Sequence, residues 1–506
     1  MEEKKEEIPL GASFVKNSFW SVLTTLFAKI GGMIFSIILA RILLPEKFGI
    51  YNLALSIVLS ALSLINIATN QTISRYISYS LGKKDTKKAK SYYVFLSKIK
   101  FILSISLMII LIIIAYPLSF YVFNKPGLFL PLLGLTIYVV TFSFQNLYET
   151  IFYVLGKVNI LTIKESLIQF SKIIICLFLF VLLSNSILIA IFSIIIASCI
   201  SIIFMRVRLK KIVGFLFNKT DKGKINKPKV LNFLKQAMLS SMSATLFDAL
   251  DVIILGIFVT SSYVGYYSSA YLIVGGFFGL ITFSNISLPV FTKMDKQNLQ
   301  EMFGNTIKYL SFISIPIIFG IMAFGRYVIQ LLYGYEYLEA FFPLLILSLL
   351  IFEFPLTDNL KALLLAKEKP KQVMRIIIFA TILNLILTTI SVFFLIKISM
   401  TWAMIGAAAS MVINRYLVLF LLFRLSKKEL SLSSNIKVIL KPIFSSLIMV
   451  STLFLINSQV KDMNLFIGIA EVIFAILVYL TVMFLIKGIN KKDFLFIKNS
   501  FLPQKS

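Results

Sequence analysis

The sequence predicts an all-α polytopic membrane protein of about fourteen transmembrane helices. Three observations carry that prediction. Apolar residues make up 59% of the chain and charged residues 14%, a balance that few soluble folds could hold. Many apolar runs exceed the roughly 18–20 residues that cross a hydrocarbon core. The basic residues gather in alternate loops, as the positive-inside rule requires of a chain that crosses repeatedly.

That distribution argues against a nucleic-acid partner despite a net charge of +28, because the lysines follow the loops and form no single patch. Cys176 and Cys199 both lie in apolar helices and read as small core residues, not as a disulfide or metal pair. Histidine is absent. This excludes His-based zinc sites, Ser–His nucleophiles and imidazole proton relays, and no cofactor or metal is expected. The first apolar run is too long for a signal-peptide core and is followed at once by a second span, so no cleavable leader is expected.

A charged head, residues 1–16, precedes the first span at 18–43. The polar turn Pro45-Glu46-Lys47-Phe48-Gly49 leads to the second span, 48–73. The loop 75–100 carries Lys83, Lys84, Lys87, Lys88 and Lys90 and marks the inside. The third span ends near Tyr116, and the outer turn Asn124-Lys125-Pro126-Gly127 leads to a fourth that ends near Gly156-Lys157. The fifth and sixth cover 167–183 and 186–205. The longest basic linker, 206–229, is the best domain boundary.

Beyond it, the seventh span ends near Val259 and the eighth near Phe291, before an inner loop at 293–305. The ninth ends near Tyr333, and the outer segment Gly334-Tyr335-Glu336-Tyr337 precedes the tenth. Lys367-Glu368-Lys369-Pro370-Lys371 is inside again. The eleventh and twelfth cover 373–396 and 403–423. Arg424, Lys427, Lys428, Lys437 and Lys441 precede two last helices and a basic tail. With both termini inside, roughly 40 basic residues fall on the inner face, which supports an even count.

Two halves align with a shift of 216 positions: Gly49-Ile50-Tyr51 on Gly265-Tyr266-Tyr267, and Ala54 on Ala270. A second echo sets Leu155-Gly156-Lys157 against Leu365-Ala366-Lys367. Six helices per half is even, so both halves insert the same way up, as two lobes about an axis along the membrane normal. The expected organisation is an N-terminal lobe at 1–215, a C-terminal lobe at 216–428, and two further helices with a basic tail at 429–506.

Ionisable groups at depth are the candidate functional residues. A lysine at bilayer depth costs about 2.5–3.5 kcal/mol on insertion scales, and Lys29 sits mid-span. Ser18, Ser21, Thr25, Lys29, Gly32 and Ser36 recur at helical spacing and share a stripe. Gln71 and Arg75 are one turn apart, with Asn70 adjacent. Ser241, Thr245, Asp248 and Asp251 form a stripe on the seventh span. The stripes suit a polar lumen between lobes. A buried ion pair of Lys29 with Asp248 or Asp251, locking the lobes, fits the same residues. Arg41 is explained by snorkelling to the interface, with a substrate role as the alternative. Asp358 and Lys361 are one turn apart and satisfy each other locally. Glu149, Arg326, Glu353, Arg415 and Glu471 lie nearer helix ends or lack a polar stripe and have no assigned role.

The stretch Leu39-Ala40-Arg41-Ile42-Leu43-Leu44-Pro45-Glu46-Lys47-Phe48-Gly49-Ile50-Tyr51 resembles the first-hairpin signature of O-antigen-type oligosaccharide flippases. This polysaccharide-transporter family belongs to the multidrug/oligosaccharidyl-lipid/polysaccharide exporter superfamily. Asp251-Val252-Ile253-Ile254-Leu255-Gly256, followed by Val264-Gly265-Tyr266-Tyr267, is similar to the family's seventh-to-eighth helix signature. The resemblance implies two six-helix lobes in a V around a central cavity, plus two extra helices. It implies movement of a polyprenyl-phosphate-linked oligosaccharide across the cytoplasmic membrane of a prokaryote, with glycan-assembly proteins as possible partners. Carried over, the family's cationic cavity lining falls on Lys29 and Arg75. Asn70, Gln71, Thr25 and Arg41 are the other substrate-binding candidates. Asp248 and Asp251 are candidates for coupling to H+ or Na+, or for lobe closure. Ala68-Thr69-Asn70-Gln71-Thr72 stands where relatives often carry glycine and small residues.

Two rivals use the same features. A drug or metabolite exporter of that superfamily would have an acidic, more hydrophobic cavity, against which Lys29 and Arg75 speak. A polyprenyl-dependent glycosyltransferase or polymerase would need a large outer loop with catalytic acids. The outer loops here are short and carry no Asp-x-Asp; Glu336 and Glu339 read as solvated loop charges.

Overall fold

The computed structural model describes residues 10–183, 186–217, 223–246, 249–281, 291, 296–430, 437–457 and 465–488. Among them the chain is helical, with no strand. The helices are α1 (Leu10–Gly82), α2 (Thr86–Pro117), α3 (Phe129–Val154), α4 (Val158–Leu182), α5 (Ile187–Ile212), α6 (Lys227–Leu246), α7 (Leu250–Phe258) and α8 (Ser261–Ile281). They continue as α9 (Lys296–Tyr333), α10 (Phe341–Leu347), α11 (Leu350–Ala366), α12 (Pro370–Leu395), α13 (Met400–Leu430), α14 (Lys437–Asn457) and α15 (Leu465–Leu485).

Helix α1 would run about 110 Å if straight, far beyond a hydrocarbon core of roughly 30 Å. It breaks at Leu44, whose φ is 61° and ψ 169°. The following Pro45 disfavours a helical residue before it and is itself well placed to start a helix. The break folds α1 into a hairpin. Thr24 on the first arm hydrogen-bonds Thr162 near the start of α4 at 2.8 Å, and Asn70 on the second arm donates to Asn146 near the end of α3. Because α3 and α4 join through a short turn at Gly156, both arms return to one end of the molecule. We call this the basic end and the Leu44–Pro45 end the hairpin end. The polar turn expected at 45–49 is therefore already helical, with Glu46 in a first turn that favours an acid.

Two other boundaries differ from the hydropathy reading. The loop expected over 75–100 shrinks to a turn, because α1 continues to Gly82 and α2 begins at Thr86, capped by the Asp85 carboxylate on the Lys88 N–H at 2.9 Å. The fifth span, expected from Leu167, starts at Val158. In both cases a charged helical end was averaged into the loop. Among the described residues, nine helices are long and apolar enough to cross a membrane, or ten if the pair α10–α11, bent by 44°, is one span. The expected fourteen is not reached by that measure, in which the two-armed α1 counts once.

The halves meet at the hairpin end. Gly49 and Gly265 lie against each other: a Cβ on Gly265 would stand 3.3 Å from the Gly49 N and collide with the Pro45 carbonyl. A Cβ on Gly49 would collide with the Ser261 carbonyl. Only glycine permits this backbone approach. Around it, Tyr337 is fully buried, donates its hydroxyl to the Ala40 carbonyl at 2.9 Å, and stands edge-on to Phe48 and Tyr266, each 6.1 Å away. Lys125, in the turn after α2, donates to the Val259 carbonyl at 2.9 Å and to the Gly256 carbonyl, closing the end of α7. Helices α14 and α15 pack on α9 through Phe324, Met449, Leu453 and Tyr479.

The second echo is shifted. The α3–α4 and α11–α12 turns share one hydrogen-bond pattern: the Lys157 N–H reaches the Phe152 carbonyl and the Lys369 N–H the Leu364 carbonyl, both at 3.0 Å. This is a Schellman turn. The left-handed residue is Gly156 in one and Glu368 in the other, at φ 65° and 58°. Glu368, not Ala366, is thus the structural counterpart of Gly156.

Replacing Gly49 or Gly265 by valine forces backbone apart at this crossing, where overpacking costs about 1–3 kcal/mol or more. The thermal midpoint of the detergent-purified protein, followed by size-exclusion fluorescence, drops for both. Leu44→Gly raises it or leaves it unchanged, since Leu44 is 53% exposed and carries a positive φ.

Candidate functional site

Among the described residues, buried polar groups occur in both halves. Six sequence-based candidates lie on the two arms of α1 and segregate by arm. On the second arm, Asn70, Gln71 and Arg75 come together with Ser74 in a cleft of about 770 Å³. Asn146, Glu149, Thr150 and Tyr153 of α3 form its other wall, and Phe233 of α6 contributes from the second half. The Arg75 guanidinium lies over the Phe233 ring, 4.5 Å from its centroid. A planar cation on an aromatic face is attracted by the ring quadrupole, and the same guanidinium can instead turn its N–H groups to a bidentate anion. Ala68, Leu234 and Ala237 pack together beside it, so the halves also touch near the basic end.

On the first arm, Lys29 is exposed and Thr25 half-buried, its hydroxyl donating to the Ser21 carbonyl at 3.0 Å. Gly32, on the same stripe, has no heavy atom among the described residues within 4 Å of its Cβ position. Phe27, Ile30 and Ile34, at 41–44% exposure, lie on the other side of the arm. Arg41 sits apart, at the hairpin end. Its Nε donates to the Leu332 carbonyl at 2.8 Å and its Nη2 to the Leu331 carbonyl, closing the last turn of α9. That position has no share in the cleft and gives Arg41 a capping contact across the halves.

In the second half, Asp251 is buried at 1% exposure. It accepts from the Thr388 hydroxyl at 2.8 Å and the Asn384 amide at 3.2 Å, both on α12. Asp248 lies outside the described residues, as do the side chains of Ser241 and Thr245. Asp358 and Lys361 form the expected local pair at 3.3 Å.

Sequence reasoning missed the residues behind the cleft. Lys100 is fully buried on α2 and donates to the Asn70 Oδ1 at 2.9 Å. Asn70 then presents its amide to Asn146. Lys164, on α4, donates at 2.7 Å both to Glu149 Oε1 and to Glu165 Oε2. Gln145 donates to Glu149 at 3.0 Å and accepts from Ser198 of α5 at 2.8 Å. Gln169 donates to Glu165 at 2.6 Å. Lys172 lies over the Phe35 ring, 4.7 Å from its centroid. Two polar networks result, one tying α1, α2 and α3 through Lys100, Asn70 and Asn146 and one tying α3, α4 and α5 through Lys164, as buried ions in a membrane protein require. The sequence signal of the second was Lys164, Glu165, Gln169 and Lys172 at helical spacing, opposite the exposed Phe170, Ile174, Phe178 and Val181.

With this geometry in view, residues 14–295 match the family described as "Polysaccharide biosynthesis protein". The chain belongs to this family. Within it, the chain is 27% identical over 286 residues to the "Probable low-salt glycan biosynthesis flippase Agl15" of Haloferax volcanii. The match takes in 53% of this chain and 57% of that protein, so it spans little more than half of the relative. Among solved structures, the fold is similar to "Lipid II flippase MurJ, inward closed conformation", with a TM-score of 0.73 at 18% identity, covering 92% of this chain and 97% of that one. A multidrug resistance MATE family transporter of the MOP superfamily, in an inward-facing conformation, gives 0.58 at 15% identity, covering 82% and 95%. A MOP superfamily transporter from Pyrococcus furiosus gives 0.56 at 14% identity, covering 83% and 96%. The multi-pass helical membrane fold expected from the sequence is therefore the fold of this family member.

Lys164→Met strands Glu149 and Glu165, and removing one partner of a buried charge network costs about 3–5 kcal/mol. The thermal midpoint in detergent falls well below that of the native protein. Adding Glu149→Gln and Glu165→Gln to the same chain restores most of it.

Proposed function

We propose that this family member is a flippase that carries a polyprenyl-phosphate- or pyrophosphate-linked oligosaccharide across the cytoplasmic membrane for polysaccharide or glycoconjugate synthesis. The observation that carries this reading is Arg75, set among Asn70, Gln71 and Asn146 in a cleft where the two halves meet. A charged headgroup and its sugars cannot cross hydrocarbon, whereas a polar cleft shelters them while the lipid tail stays in the bilayer. A fixed guanidinium in low dielectric attracts phosphate strongly and pairs with it in bidentate geometry. Lys29, exposed on the first arm of α1, supplies a second cation, and Asn70, Gln71 and Thr25 supply neutral hydrogen bonds. Arg41, occupied on the carbonyls of α9, acts on lobe contact in this reading.

Orientation follows from charge. The basic end carries Lys83, Lys84, Lys87, Lys88, Lys90 and Lys157 and is the cytoplasmic side by the positive-inside rule, which places both termini there. Transport is by alternating access. The backbone crossing at Gly49 and Gly265 serves as the outer seal, and the narrower contact of Arg75 with Phe233 opens toward the cytoplasm as the lobes rock. Phosphate binding to Arg75 competes with its stacking on Phe233, so substrate entry and release of the inner contact are linked. Asp251 is the coupling acid for H+ or Na+. It accepts from Thr388 and Asn384 on α12.

The test is reconstitution in liposomes with a fluorescent polyprenyl-diphosphate-linked saccharide, with exposure on the far leaflet read by enzymatic cleavage. Arg75→Ala cuts the rate at least tenfold, Lys29→Ala reduces it severalfold, and Arg75→Lys retains part of it. Undiminished transfer in both alanine variants sinks the cationic-cleft reading. Export of a cationic dye, with no movement of the lipid-linked saccharide, moves the protein to the drug-exporter class.

A further inference from the structure

A second cavity of about 290 Å³ lies inside the N-terminal half, among α3, α4 and α5. It shares Glu149 with the larger cleft. Its charged lining is Glu149, Glu165, Lys164 and Lys172. Two acids against two amines is a balanced set. A small anion meets both carboxylates there and a small cation meets both lysines, so neither is favoured. The remaining lining is of the kind that binds hydroxyls. Gln145, Gln169 and Ser198 supply amides and an alcohol, and Tyr138 and Phe142 stand side by side with centroids 5.2 Å apart.

One atom points to a missing partner. Gln169 is 8% exposed, and its amide oxygen has no hydrogen-bond partner among the described residues. A buried, unsatisfied amide oxygen costs about 1–3 kcal/mol. The amide is held in place from two sides. Its nitrogen donates to Glu165 at 2.6 Å, and its stem crosses Gly31, where a Cβ would lie 2.6 Å from Cγ. The oxygen therefore waits as a fixed acceptor. Lys164 already spends two of its N–H groups on the carboxylates, while Lys172 rests on Phe35 and keeps its ammonium protons as donors.

We propose that this cavity is a saccharide subsite that takes one neutral sugar ring of the transported glycan. A vicinal diol is both donor and acceptor. It gives a hydrogen to the Gln169 oxygen and to a carboxylate, and accepts from Lys172, while the apolar face of the pyranose rests on Tyr138 and Phe142. The volume equals about ten waters, which admits a monosaccharide unit and not a chain. Because Glu149 borders both cavities, the subsite stands next to the phosphate position at Arg75, and the sugar nearest the phosphate is its occupant. This rests on the lipid-linked glycan reading and adds where its first sugar is held.

The test is saturation-transfer NMR on the full chain in nanodiscs. The probes are the methyl glycosides of glucose, galactose and mannose, with glucuronic acid and glucosamine as charged counterparts. At least one neutral glycoside gives a signal fivefold or more above both charged sugars. Gln169→Leu and Lys172→Met each lower it threefold or more, whereas Arg75→Ala leaves it intact while cutting transport at least tenfold. No transfer from any neutral glycoside in the native protein overturns the subsite, as does a signal from glucuronic acid alone or glucosamine alone. A signal unchanged in both cavity variants also overturns it. The native panel decides even where a variant fails to fold. A silent panel beside an Arg75-dependent flippase removes the subsite and leaves the transport reading standing.

Discussion

Lys164 is the pivot of the N-terminal half. A lysine only 4% exposed in a membrane protein has little bulk water to hold its charge, so the surrounding helices bring the countercharge to it. Glu149 arrives from α3 and Glu165 from the same helix, and each carboxylate is finished by a glutamine. Once those bonds are made, α3, α4 and α5 can neither rotate nor slide without breaking a charged contact. The apolar packing of α4 on the first arm of α1 supplies attraction without register. The ion network supplies the register, and so fixes which wall of α3 faces the cleft.

The contact between the halves obeys a different logic. At Gly49 and Gly265 the backbones approach so closely that no side chain fits, and a ring of buried aromatics seals the gap. Such a contact is strong in dispersion, and the cations beside it, Arg41 and Lys125, are already spent on backbone carbonyls. At the other end, Arg75 on Phe233 is a contact that an anion can compete for. The two ends of the molecule thus differ in what can open them. The proposed transport cycle depends on that asymmetry: phosphate acts on the basic end, and something else must act on the hairpin end. Asp251, buried against Thr388 and Asn384, is the group proposed for that task.

Hydropathy found the centres of the spans well and their ends poorly, for one reason. A window average treats a charged first turn as loop, yet α2 and α4 begin with lysine-bearing turns that are helical and partly buried. Lys100, Lys164 and Glu165 were assigned to loops on that ground, and with them went most of both networks. Asn70, Gln71 and Arg75 were legible because they interrupt an apolar run, where a polar residue stands out. Glu149 was seen and given no role, because its partners are on another helix and pairing across helices leaves no mark in one sequence. The repeat was legible at Gly49 and Gly265, where geometry admits only glycine. It slipped by two residues at the α11–α12 turn, because a left-handed position can also be filled by Glu368, and composition then conceals the equivalence.

Glu149 joins these strands. It borders the cleft that holds Arg75 and the smaller cavity that holds Gln169 and Lys172, and Lys164 anchors it from behind. A carboxylate in that position lowers the positive potential at Arg75, which weakens phosphate binding there. A transporter gains from that: a site that holds its anion too tightly cannot release it. The same carboxylate offers an acceptor to a neutral hydroxyl, which strengthens the proposed sugar contact. One side chain then sets the balance between the two parts of the substrate, looser on the charge that all such lipids share and tighter on the glycan that distinguishes them.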